Sequence, residues 1–193
     1  MQKIEINDKD NFINIPNPIN LLIYNFKKRK ISKDNINIFW LRSFHKIYNP
    51  QLAVEILNEL NQSGYKAKLT MVGPEKDDSL KKTKFLIDKY NLYENVILTG
   101  LLSKEDWIAK STFSNLFINT TTVDNTPVSV IEMMALGIPV ISTNVGGMSF
   151  LIKNKVNGIL TKDNNSKSFI ECLDEIINDG ELLDKIIDNA YKT

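Results

Sequence analysis

A chain of 193 residues is long enough for one well-buried domain or two small ones. Its 42% hydrophobic and 24% charged residues are ordinary globular values that exclude a disordered chain, and a net charge of +1 excludes the broad basic footprint of a nucleic-acid binder. The single cysteine, Cys172, excludes an internal disulfide and fits a reducing compartment.

Residues 1 to 30 carry the weakest pattern. Short apolar runs at Lys3 to Ile6 and Asn11 to Ile15 read as strands, and Pro16-Asn17-Pro18 as a turn or hinge. Lys3 and Glu5 stand where a signal peptide needs an apolar stretch, and no run approaches membrane-span length, so a soluble, cytoplasmic protein is expected. The cluster Lys27-Lys28-Arg29-Lys30 is a solvated loop or, less in keeping with the overall charge, a point of peripheral membrane contact.

From residue 31 the pattern becomes regular. Strands are predicted at Ile36 to Leu41, Ala67 to Val72, Asn95 to Leu98, Leu116 to Asn119, Pro139 to Ser142 and Gly158 to Leu160. Helical patterns fall between and after them, at Pro50 to Gln62, Asp78 to Tyr90, Lys104 to Lys110, Pro127 to Leu136, Ser166 to Asn178 and Glu181 to Asn189. Strands alternating with helices predict an α/β fold with a doubly wound parallel sheet, formed by residues 31 to 193 as one domain. Ligands of such sheets bind beyond the carboxyl ends of the strands, which directs attention to the loops there.

Arg42 and Lys46 follow the first strand, where a planar guanidinium and a mobile ammonium can clamp a diphosphate; a surface salt bridge is the alternative for each, and Tyr48 or His45 can share the role of Lys46. Gly73 follows the second strand and allows either a close ligand or a sharp turn. Thr99-Gly100-Leu101-Leu102 follows the third. After the fourth, Thr120-Thr121-Thr122 has no adjacent base to make a nucleophile and reads as a hydroxyl-rich lining of a pocket. No His and Cys grouping has metal spacing, so neither a metal nor another cofactor is expected. Gly146-Gly147 lacks the spacing of a dinucleotide fingerprint, which disfavours an oxidoreductase.

The most informative stretch runs from Asp124 to Gly147. Between Pro127 and Ile152 the only ionisable side chain is Glu132, and a carboxylate in so apolar a run needs donors from elsewhere. With Thr126 as N-cap, Pro127 at the first helical position and Gly137 as the stop, residues 127 to 136 are predicted to form a short buried helix. Free amides and the helix dipole make its N-terminus, the stretch Thr126, Pro127, Val128 and Ser129, an anion site. Glu132 then lies about 7–8 Å along the axis from that end, a spacing that suits a ribose beside a diphosphate. The alternative is that Glu132 pairs with a core Lys or Arg and Asp124 is a solvated loop acid.

These residues resemble the signature of the retaining glycosyltransferases of family 4, which have the GT-B fold. The resemblance rests on Asp124 and Glu132 separated by seven residues, then Met133-Met134-Ala135-Leu136-Gly137-Ile138-Pro139-Val140, then Val145-Gly146-Gly147. Asp124 departs from the pattern, where Glu is usual. Ile15-Pro16-Asn17-Pro18-Ile19-Asn20 is similar to the segment after the family's interdomain linker, with Pro18 for Gly, so residues 1–30 are expected to hold that linker and an edge strand.

The resemblance implies the C-terminal, donor-binding half of a GT-B enzyme whose donor is a nucleoside-diphosphate sugar, with UDP or GDP as the expected nucleotide. It implies Glu132 on the ribose hydroxyls, amides near Thr126 to Ser129 with Arg42 and Lys46 on the diphosphate, Asp124 and Asn125 on the sugar, backbone at Leu101 and Leu102 against the base, and Gly73 close to the donor. No metal is needed in that scheme. The acceptor site would belong to an N-terminal domain, in the same full-length protein or a separate subunit. A non-catalytic nucleotide-sugar-binding or scaffold module is the competing expectation.

Overall fold

The computed structural model describes residues 17–193. The strands expected at Lys3 to Ile6 and Asn11 to Ile15 lie outside the described residues.

Six parallel strands form one sheet: β1 (Ile36–Leu41), β2 (Ala67–Val72), β3 (Val96–Gly100), β4 (Leu116–Asn119), β5 (Val140–Ser142) and β6 (Ile159–Leu160). The helices are α1 (Pro50–Gln62), α2 (Ser79–Lys89), α3 (Lys104–Ser111), α4 (Val128–Ala135), α5 (Met148–Leu151), α6 (Ser166–Asn178) and α7 (Gly180–Tyr191). In space the strands run β3-β2-β1-β4-β5-β6. The chain therefore winds one way from β1 and the other way from β4, and a crevice opens between their carboxyl ends, the usual ligand position in such sheets.

The strands are apolar on both faces, as a sheet covered twice requires. Ile36, Ile38 and Trp40 of β1 join one core with Leu57, Leu60, Phe169 and Ile186, while Phe39 points into the other with Val130, Met133 and Met148. Leu116 and Ile118 of β4 follow the first, Phe117 the second. The period-2 alternation thus carries one strand into two cores.

Residues 17–30 contain no strand. Leu21–Ile23 form a single 3-10 turn, and the segment packs on the domain instead of preceding it: Tyr24 is buried in the second core, and the Lys27 N–H donates to the Leu136 carbonyl at 3.2 Å. The α4 helix also starts later than expected. Pro127, with ψ 117°, is its N-cap rather than its first helical residue, and its carbonyl accepts from the Val130 N–H at 3.0 Å. Thr126 therefore lies one residue outside the cap. No helix among the described residues is long and apolar enough to cross a membrane.

Candidate functional site

A cavity of about 320 Å³ opens at the carboxyl ends of β1, β2 and β3. The β1 end supplies Leu41, Arg42 and Ser43, the following 3-10 turn Tyr48, the β2 end Val72, Gly73 and Pro74, and the β3 end Leu101 and Leu102. Trp107 of α3 and Ser129 and Glu132 of α4 complete the wall. Of the candidates named from the sequence, Arg42, Gly73, Leu101, Leu102, Ser129 and Glu132 line this one cavity. The α4 N-terminus faces this cavity through Ser129, and of its first-turn amides those of Val128 and Ser129 have no backbone partner, while that of Val130 is taken by the Pro127 carbonyl.

Arg42 is held from two sides. Its Nη2 donates to Asp124 Oδ2, and its guanidinium carbon lies 4.8 Å from the Tyr48 ring centroid, a cation–π distance. Its Nε is buried and has no protein partner, as is Ser129 Oγ. Buried polar atoms of native proteins are nearly always paired, and both of these orphans belong to cavity-lining residues.

Gly73 has a structural cause. A Cβ there would lie 1.8 Å from the Arg42 carbonyl oxygen, so the turn after β2 presses against the end of β1 and only glycine fits. The pair Gly146-Gly147 does the same for Asp124. A Cβ on Gly146 would lie 2.1 Å from the Asp124 carbonyl oxygen, and the Gly147 N–H donates to that oxygen at 2.9 Å. Asp124 and Asn125 are set by this contact, but neither they nor Thr126, Pro127 and Val128 line the cavity.

Glu132 is 5% exposed and meets two donors from distant segments. The Tyr24 hydroxyl donates to its Oε1 at 2.8 Å, and Lys104 Nζ lies 2.9 Å from the same oxygen. Glu132 therefore has a basic partner, though not the core Lys or Arg of the alternative reading, and Asp124, paired with Arg42, is not a solvated acid. Lys104 is half exposed, with 46% of its side chain open to solvent, so the pair lies at the cavity rim and not in the core.

Several expected residues are placed elsewhere. Lys46 is exposed and absent from the cavity wall; its N–H donates to Asp77 Oδ2 at 3.0 Å, and Tyr48 stands at the wall in its place. His45 Nδ1 accepts from the Ile47 N–H at 3.3 Å, capping the 3-10 turn. The hydroxyls of Thr120, Thr121 and Thr122 do not line a pocket: they donate to the carbonyls of Tyr48 and Ile47 at 2.7, 3.1 and 3.1 Å and tie the β4 loop to the β1 loop. Tyr24, Lys104 and Trp107 were not anticipated. Lys104, directly after the N-cap Ser103, reads in sequence as a surface residue, and Tyr24 carries no local signal at all.

Comparison with known proteins accords with this geometry. The chain is 28% identical over 167 residues to the capsular polysaccharide biosynthesis glycosyltransferase CapM of Staphylococcus aureus, a match covering 86% of this chain and 43% of that protein. The C-terminal domain of a glycosyl transferase group 1 family protein, LpcC of Francisella tularensis, superimposes with a TM-score of 0.72 at 20% identity, over 91% of this chain and 95% of that one. Anabaena Alr3699/HepE, solved in complex with UDP and glucose, gives 0.73 at 21% identity over 82% of this chain and 43% of that one. The chain spans half or less of the length of the first curated relatives it matches. The family described as "Glycosyl transferases group 1" matches residues 23–193, nearly the whole described fold, and the chain belongs to that family.

Proposed function

We propose that this chain is the donor-binding half of a retaining glycosyltransferase and holds a nucleoside-diphosphate sugar in the cavity between Arg42, Gly73, Leu102 and the α4 N-terminus. The observation that carries the reading is the pair of buried orphans, Arg42 Nε and Ser129 Oγ, in the wall of a cavity at the switch point of the sheet. A diphosphate satisfies both, together with the first-turn amides and the positive end of the helix dipole. Lys46, two residues before Tyr48 on a flexible stem, is the second cation in this reading. Glu132 takes the ribose hydroxyls, Leu101 and Leu102 border the base, and Asp124 with Asn125 meets the sugar just outside the cavity. The volume, about 320 Å³, falls at the lower end of the range of about 300–1,000 Å³ for small-molecule pockets. The UDP and glucose bound by the Anabaena fold neighbour support a nucleoside diphosphate here as well.

Catalysis in this reading is electrostatic: positive groups fixed around the diphosphate stabilise the charge that develops as the glycosidic bond breaks. Transfer in this reading also needs an acceptor-binding N-terminal domain, in the same full-length protein or a separate subunit; the matched relatives are more than twice the length that this chain covers. A non-catalytic binding or scaffold module is the second reading, favoured by the Arg42–Asp124 ion pair, which ties the group assigned to the diphosphate to the one assigned to the sugar.

A thermal-shift panel of UDP, GDP, ADP and their sugars tests the donor assignment. Ligand at 100 times its Kd stabilises by about 2.7 kcal/mol, which for a chain of this size moves Tm by about 5 °C or more. One nucleotide family should shift the wild type, with the shift lost in Arg42→Met. Silence across the panel, or an equal shift in Arg42→Met, would defeat it. Adding a candidate acceptor domain then separates the readings, since the scaffold reading predicts binding without turnover.

A further inference from the structure

The Glu132 carboxylate is gripped by two residues with no assigned part in sugar transfer. Tyr24 is 5% exposed and comes from the segment before β1, 108 residues away in sequence. Lys104 is the first residue of α3, and its ammonium lies 5.8 Å from the Tyr24 ring centroid as well as 2.9 Å from Glu132 Oε1. Three elements thus converge on one carboxylate oxygen at the cavity wall.

We propose that Tyr24 and Lys104 are positioning residues that hold the Glu132 carboxylate in the orientation needed to accept both ribose hydroxyls, so that they set the preference for a ribonucleotide without touching it. This rests on the donor reading above, in which Glu132 meets the ribose. The two known contacts fall on Oε1 and fix the plane of the carboxylate from one side. A carboxylate can accept about four hydrogen bonds, so two donors on Oε1 leave capacity for a diol.

The grip on Tyr24 is itself built in. Its ring packs against Trp107 with centroids 6.4 Å apart. Three residues on, the Lys27 N–H donates to the Leu136 carbonyl at the end of α4 at 3.2 Å. A Cβ on Gly137 would lie 2.6 Å from the Lys27 carbonyl oxygen, so the segment carrying Tyr24 is seated directly against the helix carrying Glu132. Both donors stay protonated at neutral pH: burial and the Glu132 carboxylate push the Tyr24 phenol up, and the hydrogen bond to Glu132 holds the Lys104 ammonium above its usual range.

The role separates from simple scaffolding through a ligand that lacks the diol. UDP, GDP and ADP would each be titrated calorimetrically against their 2′,3′-dideoxy analogues, using wild type, Tyr24→Phe, Lys104→Met, Lys104→Arg and Glu132→Ala, with folding checked by circular dichroism. Hydrogen bonds to a charged group lead us to expect the wild type to prefer the ribonucleotide by about tenfold or more. Glu132→Ala should abolish that preference, Tyr24→Phe and Lys104→Met should shrink it while leaving the dideoxy affinity unchanged, and Lys104→Arg should restore it. Tyr24→Phe should add nothing in the Glu132→Ala background. Equal weakening of both ligands by Tyr24→Phe and Lys104→Met would overturn the positioning role while leaving the ribose assignment intact. A preference that survives Glu132→Ala, or failure of every nucleotide to bind the wild type, would overturn the ribose assignment and this proposal with it.

Discussion

At the scale of single residues, one backbone contact decides where Arg42 stands. Gly73 lies so close to the Arg42 carbonyl that any side chain forces the β1 end aside. Gly73→Ala should cost about 1–3 kcal/mol through backbone strain, with steric overlap adding to it, and should weaken nucleotide binding through the displaced Arg42. Urea unfolding and calorimetric titration measure the two effects, and a variant as stable as the wild type would show that the turn can relax. Asp77 organises the neighbouring turn. The Ser79 side chain and the Lys46 N–H hold its carboxyl down at about 2, from an ordinary 3.8. A depressed carboxyl stabilises the fold fully above its unfolded value, and that contribution fades as pH falls from about 4 toward 2. In urea melts across that window, the stability gap between wild type and Asp77→Asn should therefore narrow as the solution is acidified. A gap of constant size would mean that Asp77 does not titrate as its partners require.

At the scale of elements, the β1 and β4 loops are tied to each other before either meets a ligand. Trp40 Nε1 donates to Thr120 Oγ1 at 3.0 Å, and that hydroxyl donates onward to the Tyr48 carbonyl at 2.7 Å. Thr120→Val keeps the shape and strands both partners, so it should cost about 1–3 kcal/mol and lower nucleotide affinity by loosening Tyr48 beneath Arg42. Chemical denaturation reads the first effect. An unchanged midpoint would remove the tie from the explanation of the site. The limits of β1, β2, β4, α1 and α6 were legible in the sequence residue for residue, because alternation and helical periodicity are local properties. The four-residue α5 was not legible, being shorter than one helical period of apolar positions can reveal. The α4 boundaries were missed by one residue at each end, where Pro127, with its extended ψ, is the N-cap and Leu136 the C-cap. The same distinction divides the site. Arg42, Gly73, Leu102 and Ser129 stand at element ends and could be found by position alone, whereas the convergence of Tyr24 and Lys104 on Glu132 exists only in three dimensions.

At the scale of the whole molecule, the two-sided packing of the sheet supports a site that is rigid at its base and open at its rim. The lone thiol gives a simple probe of that packing. Burial pushes Cys172 up to about 11. At pH 8 its thiolate fraction, and hence its alkylation rate in the folded protein, should be about 100-fold below that of an ordinary thiol, rising on unfolding. Fast labelling under native conditions would reveal local opening at α6. The matched curated relatives extend well beyond this chain. The most direct test of nucleotide binding at the switch point is a titration of the isotopically labelled protein with UDP, GDP or ADP, followed amide by amide. The reading predicts that the largest shifts cluster at Arg42, Gly73, Leu102, Val128 and Ser129, with smaller ones at Tyr24 and Lys104. Shifts confined to the opposite edge of the sheet, or none at saturating nucleotide, would contradict it.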